Sequence, residues 1–210
     1  MIFQSVYNGP IQYFARLIRE EEIVIEKYDS YLKQTYRNRC RILGANGPLD
    51  LTIPVIKIPD KKMLLKDVRI DYSQPWQKIH WKGITSSYAS SPFFQFIMDD
   101  LAGYYEKRYG FLIDLNQGLL TTALSILGLE PKIIYTEYFI PVRNDGSDPR
   151  FFIHPKKDFR QFDPEFRPAP YNQVFIEKHG FIPNLSIIDL LFNEGLNSRV
   201  ILERCFVDAK

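Results

Sequence analysis

The chain of 210 residues carries 27 Lys and Arg against 25 Asp and Glu, a net charge of +2, too even for a dedicated duplex-DNA or membrane-surface binder. Tyr, Phe and Trp number 13, 16 and 2, and Phe outnumbers Ala, which excludes disorder and points to one well-cored domain over residues 1–210. Cys40 and Cys205 are the only cysteines, so a disulfide framework is excluded and a zinc site would need mostly His and carboxylate ligands.

In chain order, residues 2–6 read as a short strand and Asn8-Gly9-Pro10 as a turn, with Pro10 suited to a first helical position. A helix over residues 10–20 turns Ile11, Phe14, Leu17 and Ile18 to the core. Ile23, Val24 and Ile25 form a β-branched run inside a strand over residues 22–28, which completes a β-α-β opening. Residues 37–43 and 49–55 pair as a hairpin about Gly44-Ala45-Asn46-Gly47-Pro48; Leu49, Leu51, Ile53 and Val55 share a face, and Pro54 marks an edge or the strand's end. Asp60-Lys61-Lys62 marks an exposed connection, and Val68, Ile70 and Tyr72 a further short strand.

The middle of the chain reads as helical. One helix covers residues 75–88, and Ser91-Pro92 starts a second whose apolar face includes Phe93, Ile97, Leu101 and Tyr104. A third has Asp114 as N-cap with Gln117 three residues on, and it stops at Gly128. Strand character returns over residues 132–139. Residues 141–170, rich in Pro and Phe, read as one long loop whose phenylalanines need a surface to pack on. Ser186 caps a last helix with Asp189 at its third position, Leu185 and Leu190 as a hydrophobic staple and Gly195 at its end; strand residues follow over 200–205. The expected architecture is α/β: a mixed β-sheet with helices packed on it.

The sequence contains no glycine-rich nucleotide loop, nucleophile elbow, zincin helix or paired-cysteine motif, so it points to no cofactor and no metal. Arg37, Arg39 and Arg41 alternate, which on an extended strand projects their guanidinium groups from one face about 6.6 Å apart. Asn38, Cys40 and Ile42 then face the other way, with Cys40 a buried structural thiol. The arginine row suits a diphosphate or a carboxylate, and equally a solvated face paired with Asp or Glu.

His80 shares a helix face with Trp76 and Ile84 and adjoins Trp81. Burial there favours a neutral imidazole, which suits both a general base and a core histidine satisfied by one carbonyl. His154 and His179 show no metal-ligand spacing with it. Asn116, one turn inside a leucine-rich helix, is not required by helix propensity and points to hydrogen bonding with a ligand or a core network. Should Trp76, Trp81 and Tyr88 line a cleft beside His80, their rings can stack on a sugar or a base.

Several motifs recur in a familiar order: Asn8-Gly-Pro-Ile-Gln-Tyr-Phe14, Gln34-Thr-Tyr-Arg-Asn-Arg39, Asn46-Gly47 before Leu51-Thr-Ile-Pro-Val55, Trp76 with His80, residues 88–93, Leu115-Asn116 and residues 184–191. Through nearly its whole length the chain resembles the WbqC-like family, named for genes of O-antigen and other surface-polysaccharide clusters. The resemblance implies modification of an activated amino sugar, such as acyl or aminoacyl transfer to the sugar amine. The family pattern matches Asn38, Arg39, Trp76, His80, Tyr88 and Asn116, which turns His80 toward a base and the arginine strand toward an anion site. Tyr7-Asn8-Gly9-Pro10 departs from the family's common Gln-Pro start, which bears on the substrate bound.

Two readings result. In one, a transferase of surface-polysaccharide biosynthesis acts on a nucleotide- or carrier-linked amino sugar, with His80 as base, Arg37, Arg39 and Arg41 on phosphate, and Asn116 with Tyr88 orienting the acceptor. In the other, the chain is a non-catalytic ligand-binding or assembly protein of the same pathway. They differ in whether His80 and the arginines converge on one cleft. Both expect a small, phosphate-bearing ligand and no double-stranded nucleic acid; basic residues interleaved with Tyr31 and Tyr36 leave single-stranded RNA as a third reading. With no basic segment leading a long apolar run at the start, and no stretch of about 18 apolar residues, the expected location is cytoplasmic with no transmembrane segment. Oligomeric state is not readable.

Overall fold

A computed structural model of the chain describes residues 1–56 and 62–206. It opens with strand β1 (Ile2–Gln4), helix α1 (Ile11–Leu17) and strand β2 (Glu22–Glu26), then forms the antiparallel pair β3 (Arg39–Gly44) and β4 (Gly47–Thr52). Helices α2 (Trp76–Tyr88), α3 (Phe94–Glu106) and α4 (Leu112–Ile126) follow, and β5 (Lys132–Tyr135) returns to the first sheet. The remainder is helical: α5 (Pro149–Phe152), α6 (Phe159–Phe162), α7 (Ile176–His179), α8 (Ile187–Glu194) and α9 (Ser198–Glu203). The architecture is α/β.

Strands β1, β2 and β5 form a parallel sheet in that order, with Ile2 opposite Val24 and Ile23 opposite Ile133. The antiparallel pair is a separate two-stranded sheet, so parallel and antiparallel pairing are divided between two sheets instead of sharing one. Gly44 pairs with Gly47, leaving Ala45 and Asn46 as a two-residue turn, tighter than the five-residue loop expected from sequence. Gly47 sits at φ 107, where a side chain is strained. Leu51 and Ile53 are buried, whereas Leu49 near the turn is exposed.

Apolar spacing accounts for the helical middle: Trp76, His80 and Ile84 of α2, Ile97 and Leu101 of α3, and Leu115, Leu119 and Ala123 of α4 are buried. Helix α4 ends in a Schellman motif, with Gly128 at φ 69 donating to the Ser125 carbonyl and Leu129 to the Leu124 carbonyl.

Several local expectations are corrected. Asp114 is not an N-cap, because α4 begins two residues earlier after Phe111; its carboxylate lies in the first turn, where it complements the helix dipole. Ser91 does not cap α3, since its hydroxyl donates back to the Tyr88 carbonyl. Residues 68–72 contribute only isolated bridges, Val55 with Ile70 and Arg69 with Phe111. Residues 198–203 are helical rather than extended, burying Ile201 and Leu202. Lys62 is exposed, while the rest of the expected Asp60-Lys61-Lys62 connection lies outside the described residues. No helix among the described residues is long and apolar enough to cross a membrane.

The expected 141–170 loop contains α5 and α6, each started by an aspartate, Asp148 and Asp158, accepting the backbone N–H two residues on. It is fastened to the parallel sheet through buried charge. The Arg150 guanidinium donates to Asp148 at 2.6 Å and to the Ile140 carbonyl at 2.8 Å, and lies 3.7 Å from Glu26 at the end of β2. Glu26, fully buried, also accepts from the Ile140 N–H at 2.8 Å and the Thr136 hydroxyl at 2.9 Å. Arg150→Met strands both carboxylates without their cation, so urea denaturation should show a loss of about 3–5 kcal/mol; a loss below about 1 kcal/mol would show that the loop is held elsewhere.

Candidate functional site

His80, 4% exposed, lies in the core of the molecule. Its Nδ1 is 2.9 Å from the Tyr7 hydroxyl, which is 3.0 Å from the Tyr105 hydroxyl, itself a partner of the Asn8 amide at 3.0 Å. Trp76 packs edge-on against the imidazole at 5.1 Å. Burial lowers the His80 pKa to about 4, with the Thr52 main chain opposing the shift, so the ring is neutral near pH 7.

A second buried network surrounds Asp189, which takes hydroxyl donors from Tyr88 at 2.7 Å and Tyr171 at 2.6 Å. Burial pushes its carboxyl up to about 6, opposed by these hydroxyls. Asp189 was expected to serve its own helix start, and Ser186 to cap it. Instead the Ser186 hydroxyl donates to the Asn8 carbonyl at 2.6 Å, and the Tyr88 network removes that side chain from any surface.

The three arginines have different surroundings. Arg37 precedes β3, is 4% exposed and is ion-paired with Asp29. Arg41 forms a two-pronged pair with Asp50 at 2.7 and 3.1 Å on the exposed face of the hairpin. That pair holds Asp50 below the usual carboxylate range. Arg39 donates through Nε to the Thr52 hydroxyl at 3.2 Å, and its closest ion-pair approach to Asp50 is 3.7 Å. Arg39 also lines a cavity.

That cavity, a cleft of about 640 Å³, opens where the segment before β3 meets the end of β4, and Tyr31, Lys33, Asn38, Arg39, Thr52 and Asp71 line it. His80 is not among its lining residues. Asn38 is 5% exposed; its amide nitrogen donates to the Ile53 carbonyl at 2.7 Å, but its Oδ1 has no partner. Behind it, the Asn116 amide donates to the Arg37 carbonyl at 2.9 Å and contacts the Ser5 hydroxyl at 3.1 Å, leaving its own Oδ1 unpartnered. Arg37 Nε and Trp76 Nε1 are likewise unpartnered. Buried polar atoms are nearly always satisfied by protein, water or ligand. Among the described residues, the unsatisfied side-chain atoms fall on four residues that sequence singled out: Arg37, Asn38, Trp76 and Asn116.

Residues missed by sequence reading are Tyr7, Asn8 and Tyr105 around His80, and Lys33 and Asp71 in the cleft. Tyr7, Asn8 and Tyr105 carry no spacing signal, because each reaches its partner from a distant segment; Asp71 accepts locally from the Ser73 N–H. His154 bonds to the Lys156 N–H and His179 lies near the Ala45 carbonyl. Among the described residues no group of three His, Cys, Asp or Glu is placed to hold a metal ion. Cys40 is buried, and burial pushes its thiol pKa up.

The WbqC-like protein family matches the chain over residues 4–154, which include the His80 network, the hairpin and the cleft. The chain belongs to the WbqC-like family. An uncharacterized protein of Mycobacterium tuberculosis, Rv1507c, is 29% identical over 230 residues, spanning 97% of this chain and 97% of its own length. No solved structure matches. Within this WbqC-like chain, Tyr171 and Asp189 lie beyond the matched span.

The two buried titrating groups oppose each other. His80, with its pKa lowered to about 4, contributes stability above its unfolded pKa of about 6.5 that is lost as pH falls toward 4. Asp189, raised to about 6, contributes stability below about pH 3.9 that is lost as pH rises toward 6. Each effect is worth about 3 kcal/mol across its window, so the slopes nearly cancel between about pH 4 and 6. Urea unfolding should show Asp189→Asn losing stability on acidification through this range and His80→Gln gaining it. Parallel slopes in the two variants would contradict these environments.

Proposed function

We propose that the protein binds a phosphate-bearing activated sugar of surface-polysaccharide biosynthesis in the cleft beside the hairpin, as a ligand-binding component of that pathway acting in the cytoplasm. The observation that carries this reading is the cleft itself, about 640 Å³, where Arg39 and Lys33 stand beside the polar side chains of Tyr31, Asn38 and Thr52. Arg39 and Lys33 add positive charge for a phosphate. Membership of the WbqC-like family supports the pathway, since the family takes its name from genes in surface-polysaccharide clusters.

Binding is favoured over acyl or aminoacyl transfer by the position of His80. A base must reach the proton it removes, whereas His80 is buried, bonded to Tyr7 and away from the cleft lining. The cleft's carboxylate, Asp71, is held below its usual range by the Ser73 N–H and is a weak base. Arg37 and Asn116 support the cleft from behind, Trp76 and Tyr88 serve the core, and Arg41 is occupied by Asp50.

Isothermal titration with uridine- and thymidine-diphosphate sugars tests the assignment. Arg39→Ala should weaken binding about tenfold to a hundredfold, the worth of a charged hydrogen bond, while Arg41→Ala should stay within about twofold of the parent. Equal losses in both variants, or no binding of any such sugar by the parent, would refute it.

A further inference from the structure

A second groove, of about 630 Å³, opens between the start of α2 and the end of α3. Asp71 lines the phosphate cleft and the next residue, Tyr72, lines this groove. Half-buried Trp81 stacks on Tyr105 with ring centroids 5.3 Å apart and planes at 28°. Arg108 lies over the Tyr72 ring at 5.1 Å. Behind Tyr72, at 5.9 Å between rings, is Trp76 with its unpartnered indole N–H. The groove's rim carries charges of both signs: Lys78, Glu106 and Arg108 make no ion pair among the described residues.

Aromatic faces on the wall with mixed donors and acceptors at the edge match the division of a pyranose ring, whose C–H face is apolar and whose equatorial hydroxyls both donate and accept. A purely apolar ligand would leave the rim charges desolvated, and the stacked Trp81 and Tyr105 wall is what distinguishes this groove from the Arg39 cleft, whose lining likewise carries two cations and one carboxylate. We infer that this groove is a second ligand site, for an uncharged hexose unit, with Trp81 as its stacking platform and Lys78 and Glu106 as hydroxyl partners. The site stands independently of the phosphate cleft.

Both tryptophans of the chain lie at or behind this groove, so intrinsic fluorescence reads its occupancy directly. The full chain is titrated with phosphate-free methyl glucoside and methyl N-acetylglucosaminide, and with uridine in parallel; saturation-transfer NMR on the sugar protons supplies a readout that does not depend on tryptophan. A saturable emission change with at least one glycoside is expected in the parent and in Arg39→Ala. Trp81→Ala should weaken binding by about tenfold, the scale of a lost aromatic contact, and Glu106→Gln by about threefold, the loss of charge assistance to one hydrogen bond. Glu106→Gln decides the matter if Trp81→Ala fails to fold. Absence of saturation with both glycosides, saturation by uridine alone, or glycoside binding unaffected in folded Trp81→Ala and in Glu106→Gln would overturn the inference. Loss of binding in Arg39→Ala would also overturn it, by placing the sugar in the phosphate cleft.

Discussion

The elbow at residues 7–11 holds the rest of the molecule in register. Asn8 enters the left-handed region at φ 41, a conformation asparagine tolerates better than most residues. Gly9 follows because a Cβ there would lie 2.6 Å from the Val6 side chain. The backbone of the elbow then meets the entry to α8 three times: Ser186 donates to the Asn8 carbonyl, Ile187 to the Gly9 carbonyl, and Ile11 to the Leu185 carbonyl. On its other side Tyr7 donates to the Tyr36 carbonyl, just before β3. Its two polar side chains, Tyr7 and Asn8, reach His80 on α2 and Tyr105 on α3. One short segment thereby satisfies buried groups from four directions, and breaking it leaves those groups unpaired in the core, where each costs about 1–3 kcal/mol.

The His80 network shapes the surface from beneath. It seats α2 beside the Thr52 main chain at the end of β4, and Thr52 is the cross-strand partner of Arg39. The Arg39 cleft lies over that pairing, and the aromatic groove lies over Tyr105 at the other end of the same hydrogen-bond chain. A neutral imidazole suits this structural position because a charged one would lack a carboxylate partner. The same burial accounts for the fates of the arginines: Arg37 is buried against Asp29 and Arg41 is paired on the outer face, which leaves Arg39 at the cleft.

Much of the fold was legible because its elements carry strong periodicity. The Trp76, His80 and Ile84 stripe, the Asn46-Gly47 turn and the Gly128 stop each describe a local interaction that survives into the structure. Burial and neutrality of His80 were readable from its neighbours on α2, whereas Tyr7, 73 residues away in sequence, was not. Val200 and Ile201 suggested a strand, but contacts with α1 and α8 fold them into α9, tertiary packing overriding a short β-branched run. The hydrogen-bonding role of Asn116 was legible from its odd position in a leucine-rich helix. Its partners Ser5 and Arg37 were not, since long-range pairing leaves no local trace. Arg37, Arg39 and Arg41 were read as equal members of one strand face, although the strand begins only at Arg39 and leaves Arg37 outside it.

We propose that the Arg39 cleft is the seat of a phosphate-bearing sugar. A crystal structure of the protein grown with a uridine-diphosphate hexose tests it most directly. The expected result is phosphate oxygens within about 3 Å of the Arg39 guanidinium. A ligand bound elsewhere, making no contact with the Arg39 guanidinium, would contradict it.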